Sequence, residues 1–189
     1  SNINFKSTFI QFREKNFYAP QEIKAFLEHN LNYTNTNPPL YYIVDNGNYR
    51  FSTLLCYEFT DIVSRASMLS QNVNILFVPQ LNRDTNYFSS IVSSTARDLH
   101  CFIVQANTSY YGDSRIAAPY RTLDKNLLRI KGGDNNTILT AELDIAKLKE
   151  YEKNNTDITN YVKNINNENQ TNKSITIKSL PPRLYKNRK

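Results

Sequence analysis

Two short apolar runs limit what this chain can fold into more than any other feature of its sequence. They are VNILFVP (73–79) and CFIVQA (101–106), and they have the length and composition of fully buried strands. Helical patterns stand before and between them, at 59–70 and in SSIVSSTARDL (89–99). A third strand-like run, YRFSTLLC (49–56), comes first. This alternation of strands and helices predicts an α/β domain.

The region before these runs predicts a helix and a hairpin. Pro20 begins the helix, which continues through QEIKAFLEHN. LYYIV (40–44) is joined to the 49–56 strand through DNGN, and Asn-Gly accepts the positive φ angles of a tight turn. The 49–56 strand is therefore expected to pair with 40–44.

The region after the buried runs predicts two more strands and a closing helix. The strand candidates lie near 126–131 and 137–143, on either side of KGGDNN. Asp144 caps a short helix in DIAKLKEYE. Further along, SITIKSL (174–180) is a candidate for a strand added to the surface of a neighbouring molecule.

The net charge of +6 is confined to the end of the chain. Six of the 23 Lys and Arg residues, and no acid, lie from residue 173 onward, which leaves 17 basic against 17 acidic residues in the rest. A basic tail of this kind is either a solvated end or a segment that contacts the phosphate backbone of a nucleic acid. Both interpretations remain open.

Composition excludes several classes of protein and site. Two cysteines, Cys56 and Cys101, cannot form a disulfide framework, and neither belongs to a CxxC motif. With His29 and His100 as the chain's histidines, a histidine-rich metal site or a His-based triad is not expected, and no cofactor is predicted. No apolar run approaches the ~18 residues of a membrane span, so a cytoplasmic protein without membrane contact is expected.

Cys56 lies where the 49–56 strand gives way to a helix. One interpretation is that it is a small apolar residue that completes a core strand, which also fits Cys101. A strand-to-helix turn, however, points a side chain out of the sheet edge, and the first N–H groups of the helix face the same place. Such donors can lower the pKa of a thiol and hold an oxyanion, so Cys56 is a candidate nucleophile.

Motifs in consistent order extend this hypothesis. LLCYE is followed by a helix and a buried strand, then by ARDLHCFIVQANTSYYGDSRIAAP and ILTAELDIAKL. This order resembles the second half of the carbon-nitrogen hydrolase (nitrilase) superfamily, whose nucleophilic cysteine lies in an ICYE or ICYD stretch. The family's later positions match Ala96-Arg97, Asn107, Gly112 with Ser114, Pro119, and Glu142-Leu143-Asp144.

The upstream stretch REKNFYAPQE is similar to the family's lysine motif. Lys15 matches the catalytic lysine, Pro20 the proline, and Glu22 the second glutamate. The resemblance implies an amidase-like carbon-nitrogen hydrolase in which the Cys56 thiolate attacks a small amide or nitrile. Lys15 and the backbone N–H of Tyr57 would stabilise the oxyanion, Glu22 would support the site, and Asn107 is a candidate substrate-binding residue.

The resemblance also implies what lies outside this sequence. The family domain is a four-layer α-β-β-α sandwich, of which residues 1–151 would be the C-terminal portion, with the N-terminal half absent and 152–189 as a polar, basic tail. The family's first catalytic glutamate belongs to the absent half. A partner chain or domain, or a homodimer, is therefore expected to complete the site.

A second hypothesis is a nitrilase-like module without hydrolytic activity. It would serve binding or assembly in a larger protein, for example one fused to a reverse transcriptase, and would contact nucleic acid through the basic tail. Salt-sensitive binding of nucleic acid would support this alternative.

Overall fold

The computed structural model describes residues 10–34, 36–121, 123–134, 137–138, 140–159, 162–163 and 177–186. The chain divides into two compact units, Ser1–Leu40 and Tyr41–Lys189. Each unit is described by itself.

The first unit contains helix α1, Pro20–Glu28, which confirms the predicted helix. Proline at the first helical position has the fixed φ that a helix needs. The Glu22 carboxylate accepts a hydrogen bond from the Ala19 N–H at 2.6 Å and so caps the start of the helix. Asn30, with a φ of 52°, follows the end of the helix, as is common for a residue that tolerates the left-handed region.

The second unit is built on one six-stranded sheet in the order β1-β2-β3-β4-β5-β6. The strands are β1 (Val44–Asp45), β2 (Arg50–Thr53), β3 (Ile75–Gln80), β4 (Phe102–Asn107), β5 (Ser114–Ala117) and β6 (Asn126–Ile130). A 3-10 helix (Cys56–Thr60) and helices α2 (Ile62–Ser70), α3 (Thr85–Asp98) and α4 (Ile145–Asn155) connect or follow them, and a second 3-10 helix spans Pro182–Leu184. β2, β3 and β4 are parallel, whereas β1, β5 and β6 pair antiparallel with their neighbours. The predicted α/β class is therefore confirmed.

The two faces of the sheet are covered differently. On one face, alternate residues of β3 and β4, such as Leu76, Val78 and Ile103, pack with buried residues of α2 and α3 into the larger core. On the other face, a smaller cluster joins Phe102 to Leu148 of α4 and to other buried residues. This second cluster covers the end of the sheet at which the parallel strands begin.

The central strands and α4 agree with the sequence patterns. The Asp144 side chain accepts a hydrogen bond from the Lys147 N–H at 2.9 Å, as predicted for the cap of α4. Helix α3 begins earlier than the 89–99 pattern predicted, because Asp84 caps it by accepting from the Tyr87 N–H at 3.0 Å. The predicted 59–70 helix is divided at Asp61, which ends the 3-10 helix and caps α2.

The strand predicted at 137–143 is wrong for its described residues, 137, 138 and 140–143, which form no strand. Ile138, which that pattern would bury, is 93% exposed. The segment 174–180 lies partly outside the described residues. Its residue Ile177 forms an isolated antiparallel bridge with Tyr120 of the same chain. The division at residues 151 and 152 stays a prediction, although Ile177 and Leu180, which belong to the predicted tail, are buried in this unit.

Candidate active site

The parallel strands bring the candidate residues of the second unit to one edge of the sheet. Carboxyl ends of parallel strands lie at a common edge, and in open α/β sheets this edge is where ligands bind. Cys56 follows β2 at this edge, and Asn107 ends β4 there. β3 separates the two strands, so they stand two strand spacings, about 10 Å, apart.

The Cys56 backbone is in a conformation that cysteine rarely adopts. Its φ is 48°, in the left-handed region. The other non-glycine residues with positive φ in the described part of the chain are of types that tolerate it: Asn30, Asn72, His100 and Asp113. A left-handed residue other than glycine costs about 1–3 kcal/mol, and such residues cluster at active sites. A nucleophile on a strained strand-to-helix turn is also the arrangement of the serine in α/β-hydrolases.

Residues on both sides of the thiol fix this turn. Leu54 and Phe59 are completely buried in the larger core. The buried Glu58 carboxylate accepts from the Leu55 N–H at 2.7 Å, while the Glu58 N–H donates to the Leu55 carbonyl at 3.0 Å. Cys56 itself remains partly exposed. The fold thus holds the thiol at the surface on a turn whose flanks are anchored in the core.

The sequence interpretation overlooked the role of Glu58. A glutamate three residues after a cap position is part of the capping-box pattern, but that pattern normally has Ser or Thr as the cap residue, and here the cap is Leu55. The three-residue spacing of Leu55 and Glu58 was therefore the available signal of this role, and it is hard to recognise because leucine is not a usual cap residue.

Lys15 and Glu22 form an ion pair within the first unit. The Lys15 Nζ donates to both carboxylate oxygens of Glu22, at 2.7 and 2.5 Å. The lysine side chain is 11% exposed and its Nζ lies 5.8 Å from the centre of the Tyr18 ring. A lysine this buried and paired differs from a solvated surface lysine, but the catalytic roles of both residues stay predictions.

Asn107 uses its side-chain amide to tie two loops together. Its Nδ2 donates to the carbonyls of Asn82 at 2.9 Å and Gly112 at 2.8 Å, and its Oδ1 accepts from the Asn82 N–H at 3.0 Å. Its backbone exchanges hydrogen bonds with the Ser114 hydroxyl at 2.9 and 3.0 Å. These contacts position the loops after β3 and β4, and the substrate-binding role of Asn107 stays a prediction.

Gly112 lies where two backbone segments approach closely. A Cβ at Gly112 would stand 1.5 Å from the Lys131 carbonyl oxygen, and one at Gly132 would stand 2.5 Å from the Gly112 Cα. A cavity of about 210 Å³ adjoins this contact, and the residues that line it include Asn107, Ser114 and Gly132. Only glycine fits the backbone at Gly112, which gives a physical reason for the glycine of the G-x-S motif.

A buried arginine, Arg115 of β5, lies three residues after Gly112 and was not singled out from the sequence. Arg115, between strands β4 and β6, is 1% exposed, and burial lowers the pKa of its guanidinium. Its Nε donates to Gln105 Oε1 at 3.0 Å, and its guanidinium lies 3.7 Å from the carboxylate of Asp113, which also pairs with Arg129. Because arginine is seldom fully buried, its sequence position carried no signal of this role.

Cys101 has the properties of an inert core thiol. It is completely buried, and burial together with the negative charge of Glu152 raises the pKa of its thiol. A protonated, inaccessible thiol cannot act as a nucleophile. Among the described residues, no group of three or more His, Cys, Asp or Glu side chains could hold a metal ion, and no helix is long and apolar enough to cross a membrane.

No protein-family model matches the sequence, and no curated protein matches it either. Solved structures do match. A CN-hydrolase superfamily protein from Xanthomonas campestris has a TM-score of 0.53 at 14% identity, over 68% of this chain and 52% of that one. An amidase of the nitrilase superfamily from Nesterenkonia AN1 has a TM-score of 0.54 at 15% identity, over 74% and 52%. Nit3 of Saccharomyces cerevisiae, a nitrilase superfamily member, has a TM-score of 0.51 at 15% identity, over 61% and 45%.

The chain thus spans about half the length of the solved structures it matches. At identities this low, the likeness establishes the fold and leaves activity open. The expectation from the sequence motifs is confirmed at that level: the chain has the α/β fold of carbon-nitrogen hydrolase (nitrilase) superfamily proteins.

Proposed function

We propose that this chain carries the nucleophile of an amidase-like carbon-nitrogen hydrolase, and that the nucleophile is Cys56. The observation that carries the proposal is the left-handed backbone of Cys56 at the carboxyl edge of three parallel strands. Strain at a partly exposed thiol, on a turn anchored by buried neighbours, is expected where the position of the side chain serves chemistry. The likeness of the fold to solved carbon-nitrogen hydrolase superfamily proteins supports the proposal that this chemistry is carbon-nitrogen hydrolysis.

The proposed reaction passes through a thioester. The Cys56 sulfur attacks the carbonyl carbon of a small amide, and the C–N bond breaks with a proton delivered to the leaving ammonia or amine. Water then attacks the thioester, which releases the carboxylic acid and restores the thiol. The backbone N–H of Tyr57, one residue into the 3-10 helix, is the proposed oxyanion donor, with Lys15 as a second. A nitrile carbon is the alternative electrophile.

The proton transfers require a carboxylate base that the resemblance assigns to a first half of the domain. We therefore propose that a further protein layer, from a partner chain, another domain or a second copy, completes the site. An open face of the sheet supports this. One row of paired residues crosses five strands on the face opposite to the larger core, and none of its members is fully buried: Thr53, Phe77, Val104, Ile116 and Leu128.

Parallel strands normally occur with both faces covered, since their side chains are apolar on both sides. Phe77 is 36% exposed at the centre of the sheet, and the next paired positions towards the carboxyl edge, Pro79 and Ala106, are also exposed. A covering layer would bury this row. Size-exclusion chromatography with light scattering should detect association of the protein with its covering layer, and Phe77→Lys should abolish this association. A Phe12→Lys variant, at an 87% exposed position of the first unit, serves as the control and should associate as the wild type does.

Release of ammonia from a panel of small amides and nitriles tests the activity. The protein together with its covering layer should hydrolyse at least one member of the panel. Cys56→Ala should lose this activity, and Cys101→Ala should keep it because Cys101 is buried. Lys15→Met should lower kcat if Lys15 stabilises the oxyanion, by ~10²–10³-fold for one oxyanion donor. Activity that survives in Cys56→Ala would contradict the proposal.

A further inference from the structure

The cavity beside Gly112 lies on the open face of the sheet, at its carboxyl edge. Ser114 of β5, whose hydroxyl bonds the last residue of β4, lines the cavity together with its paired residue, Ile130 of β6. This pair stands two residues from the pair of Ile116 and Leu128, and therefore on the same face of the sheet. The carboxyl edge is where ligands bind in open α/β sheets. The cavity thus lies at the edge that also holds the candidate nucleophile, on the face that a covering layer would bury.

Glycine is concentrated at this cavity. The chain has four glycines, and three of them line the cavity: Gly112, Gly132 and Gly133. Gly112 and Gly132 approach each other too closely for a Cβ on either. Gly133 is different, because a Cβ there would have nothing within 4 Å, and what favours glycine is its φ of 145°. A glycine in this conformation presents its peptide groups with no side chain over them, as occurs where a backbone approaches a ligand closely.

The lining of the cavity offers neutral hydrogen-bonding groups. Ser109 and Thr137 contribute hydroxyls, and the described residues that line the cavity are all uncharged. The flanking charged residues, Lys131 and Asp134, are one of each sign. A charged group that entered would lose hydration without gaining a partner of opposite charge in the lining, whereas a hydroxyl or an amide would find donors and acceptors. The cavity therefore favours a neutral polar ligand.

The hydrogen bonds of Asn107 show which parts of the lining are available to a ligand. The Asn107 Nδ2 already donates to two carbonyls within the protein, and the Ser114 hydroxyl already bonds the Asn107 backbone. These groups hold the wall of the cavity in place. The contacts left for a ligand are the hydroxyls of Ser109 and Thr137 and the peptide groups of the glycines.

We propose that the cavity is a second subsite of the proposed hydrolase, and that it binds a neutral hydrogen-bonding group at the far end of an extended amide substrate. This assignment rests on the proposed function, with Cys56 as the nucleophile. β4 and β5 lie two and three strand spacings from β2, about 10 and 14 Å. An extended peptide spans about 3.3–3.6 Å per residue, so about three or four peptide units reach from the thiol to the cavity. A cavity of about 210 Å³ holds about seven waters, at ~30 Å³ each, and so takes only the end of such a chain.

Nuclear magnetic resonance of the full chain labelled with ¹⁵N at glycine tests the cavity, because the four glycine signals include a control. N-acetyl-triglycinamide is titrated into the Cys56→Ala protein, in which it cannot be turned over. The signals of Gly112, Gly132 and Gly133 should shift with a common Kd of about 1 mM, as expected for a small, flexible ligand. The signal of Gly47, in the turn between β1 and β2, should not move. Shifts of all four signals alike, or of none, would overturn the proposal.

A second ligand and a matched pair of variants test the fit. Triglycinamide, which has a free ammonium in place of the acetyl group, should bind at least about tenfold more weakly, because the lining offers its charge no partner. Ser109→Leu adds bulk to the lining and should weaken binding of the acetylated ligand about tenfold or more, whereas Ser90→Leu, at an exposed position of α3, should leave it unchanged. The glycine spectrum without ligand shows whether each variant folds. Equal binding of the two ligands, or unchanged binding in folded Ser109→Leu, would contradict the subsite.

Hydrolysis separates this inference from the proposed function. The protein together with its covering layer should release ammonia from N-acetyl-triglycinamide with a kcat/KM about tenfold higher than from acetamide, because only the longer amide reaches the cavity. Equal kcat/KM values for the two amides, with no glycine shifts, would overturn the subsite and leave the nucleophile intact. Glycine shifts without hydrolysis of any amide would overturn the proposed function and, with it, the assignment of the cavity as a substrate subsite.

Discussion

The strain at Cys56 makes a quantitative prediction about two substitutions at this position. Cys56→Ala keeps a Cβ in the left-handed backbone, whereas Cys56→Gly removes it. The left-handed region costs about 1–2 kcal/mol for a residue with a Cβ. Glycine loses about 0.5–1 kcal/mol relative to alanine through its greater freedom in the unfolded chain. The difference leaves Cys56→Gly more stable than Cys56→Ala by about 1 kcal/mol.

Cys101 provides a matched control for this comparison. It is the chain's other cysteine, and its φ is not among the positive values of the described residues. At an ordinary backbone position glycine has no strain to relieve, so Cys101→Gly should be less stable than Cys101→Ala by about 0.5–1 kcal/mol. The order of the alanine and glycine variants should therefore reverse between the two cysteines.

Urea unfolding followed by circular dichroism measures both pairs of variants. With a denaturant slope of about 2 kcal/mol per molar, a difference of 1 kcal/mol shifts the midpoint by about 0.5 M. If Cys56→Gly is less stable than Cys56→Ala by the same margin as at Cys101, the turn is not strained, and the structural reason for assigning the nucleophile to Cys56 is lost.

Three further predictions follow from other parts of the second unit. Gly112→Ala should destabilise this unit by about 3 kcal/mol or more, because the added methyl group meets backbone atoms. Gly47→Ala, whose Cβ would have nothing within 4 Å, should cost about 1 kcal/mol for its positive φ alone. Thermal unfolding compares the two variants, and equal losses of stability would refute the close approach at Gly112. Asn107→Ala should lower the free energy of unfolding by about 1–3 kcal/mol, because it leaves backbone groups of two loops unpaired. Asn86→Ala, at an exposed position, should lower it by almost nothing in the same urea assay. A loss at Asn107 no larger than the loss at Asn86 would contradict the tie between the loops. Burial raises the pKa of the Cys101 thiol, so the folded protein keeps this proton at pH values where the unfolded chain loses it. Above the unfolded thiol's pKa of about 8.5, the free energy of unfolding should therefore fall by about 1.4 kcal/mol per pH unit. A Cys101→Ala variant with the same slope would refute the assignment of this pH dependence to Cys101.

The central elements of the fold could be predicted because the pattern that indicates each of them lies within its own residues. β3 and β4 are apolar runs of strand length, and Asp144 is a cap that sequence alone reveals. β5 could not be predicted from its pattern, because it places Arg115 in the interior, where arginine is rare. The strand predicted at 137–143 followed an apolar pattern whose residue Ile138 faces solvent.

Some of the local structure at the candidate residues could be predicted from the sequence, and some could not. The position of Cys56 at the end of a strand could be predicted, but its left-handed φ could not, since cysteine has no preference for that region. Lys15 and Glu22 form an ion pair, and their catalytic roles stay predictions. Asn107 ties Gly112, five residues further on, to Asn82, 25 residues before it, and no local pattern encodes the longer contact.

The rate at which iodoacetamide alkylates Cys56 tests the central claim most directly. Peptide mass spectrometry gives this rate separately for Cys56 and Cys101, in the folded protein and in urea. A nucleophile prepared by the fold should react at Cys56 at least about tenfold faster in the folded protein than in the unfolded chain, while folded Cys101 stays unlabelled because it is buried. Labelling of folded Cys56 no faster than in the unfolded chain, or equal to that of Cys101, would contradict the account.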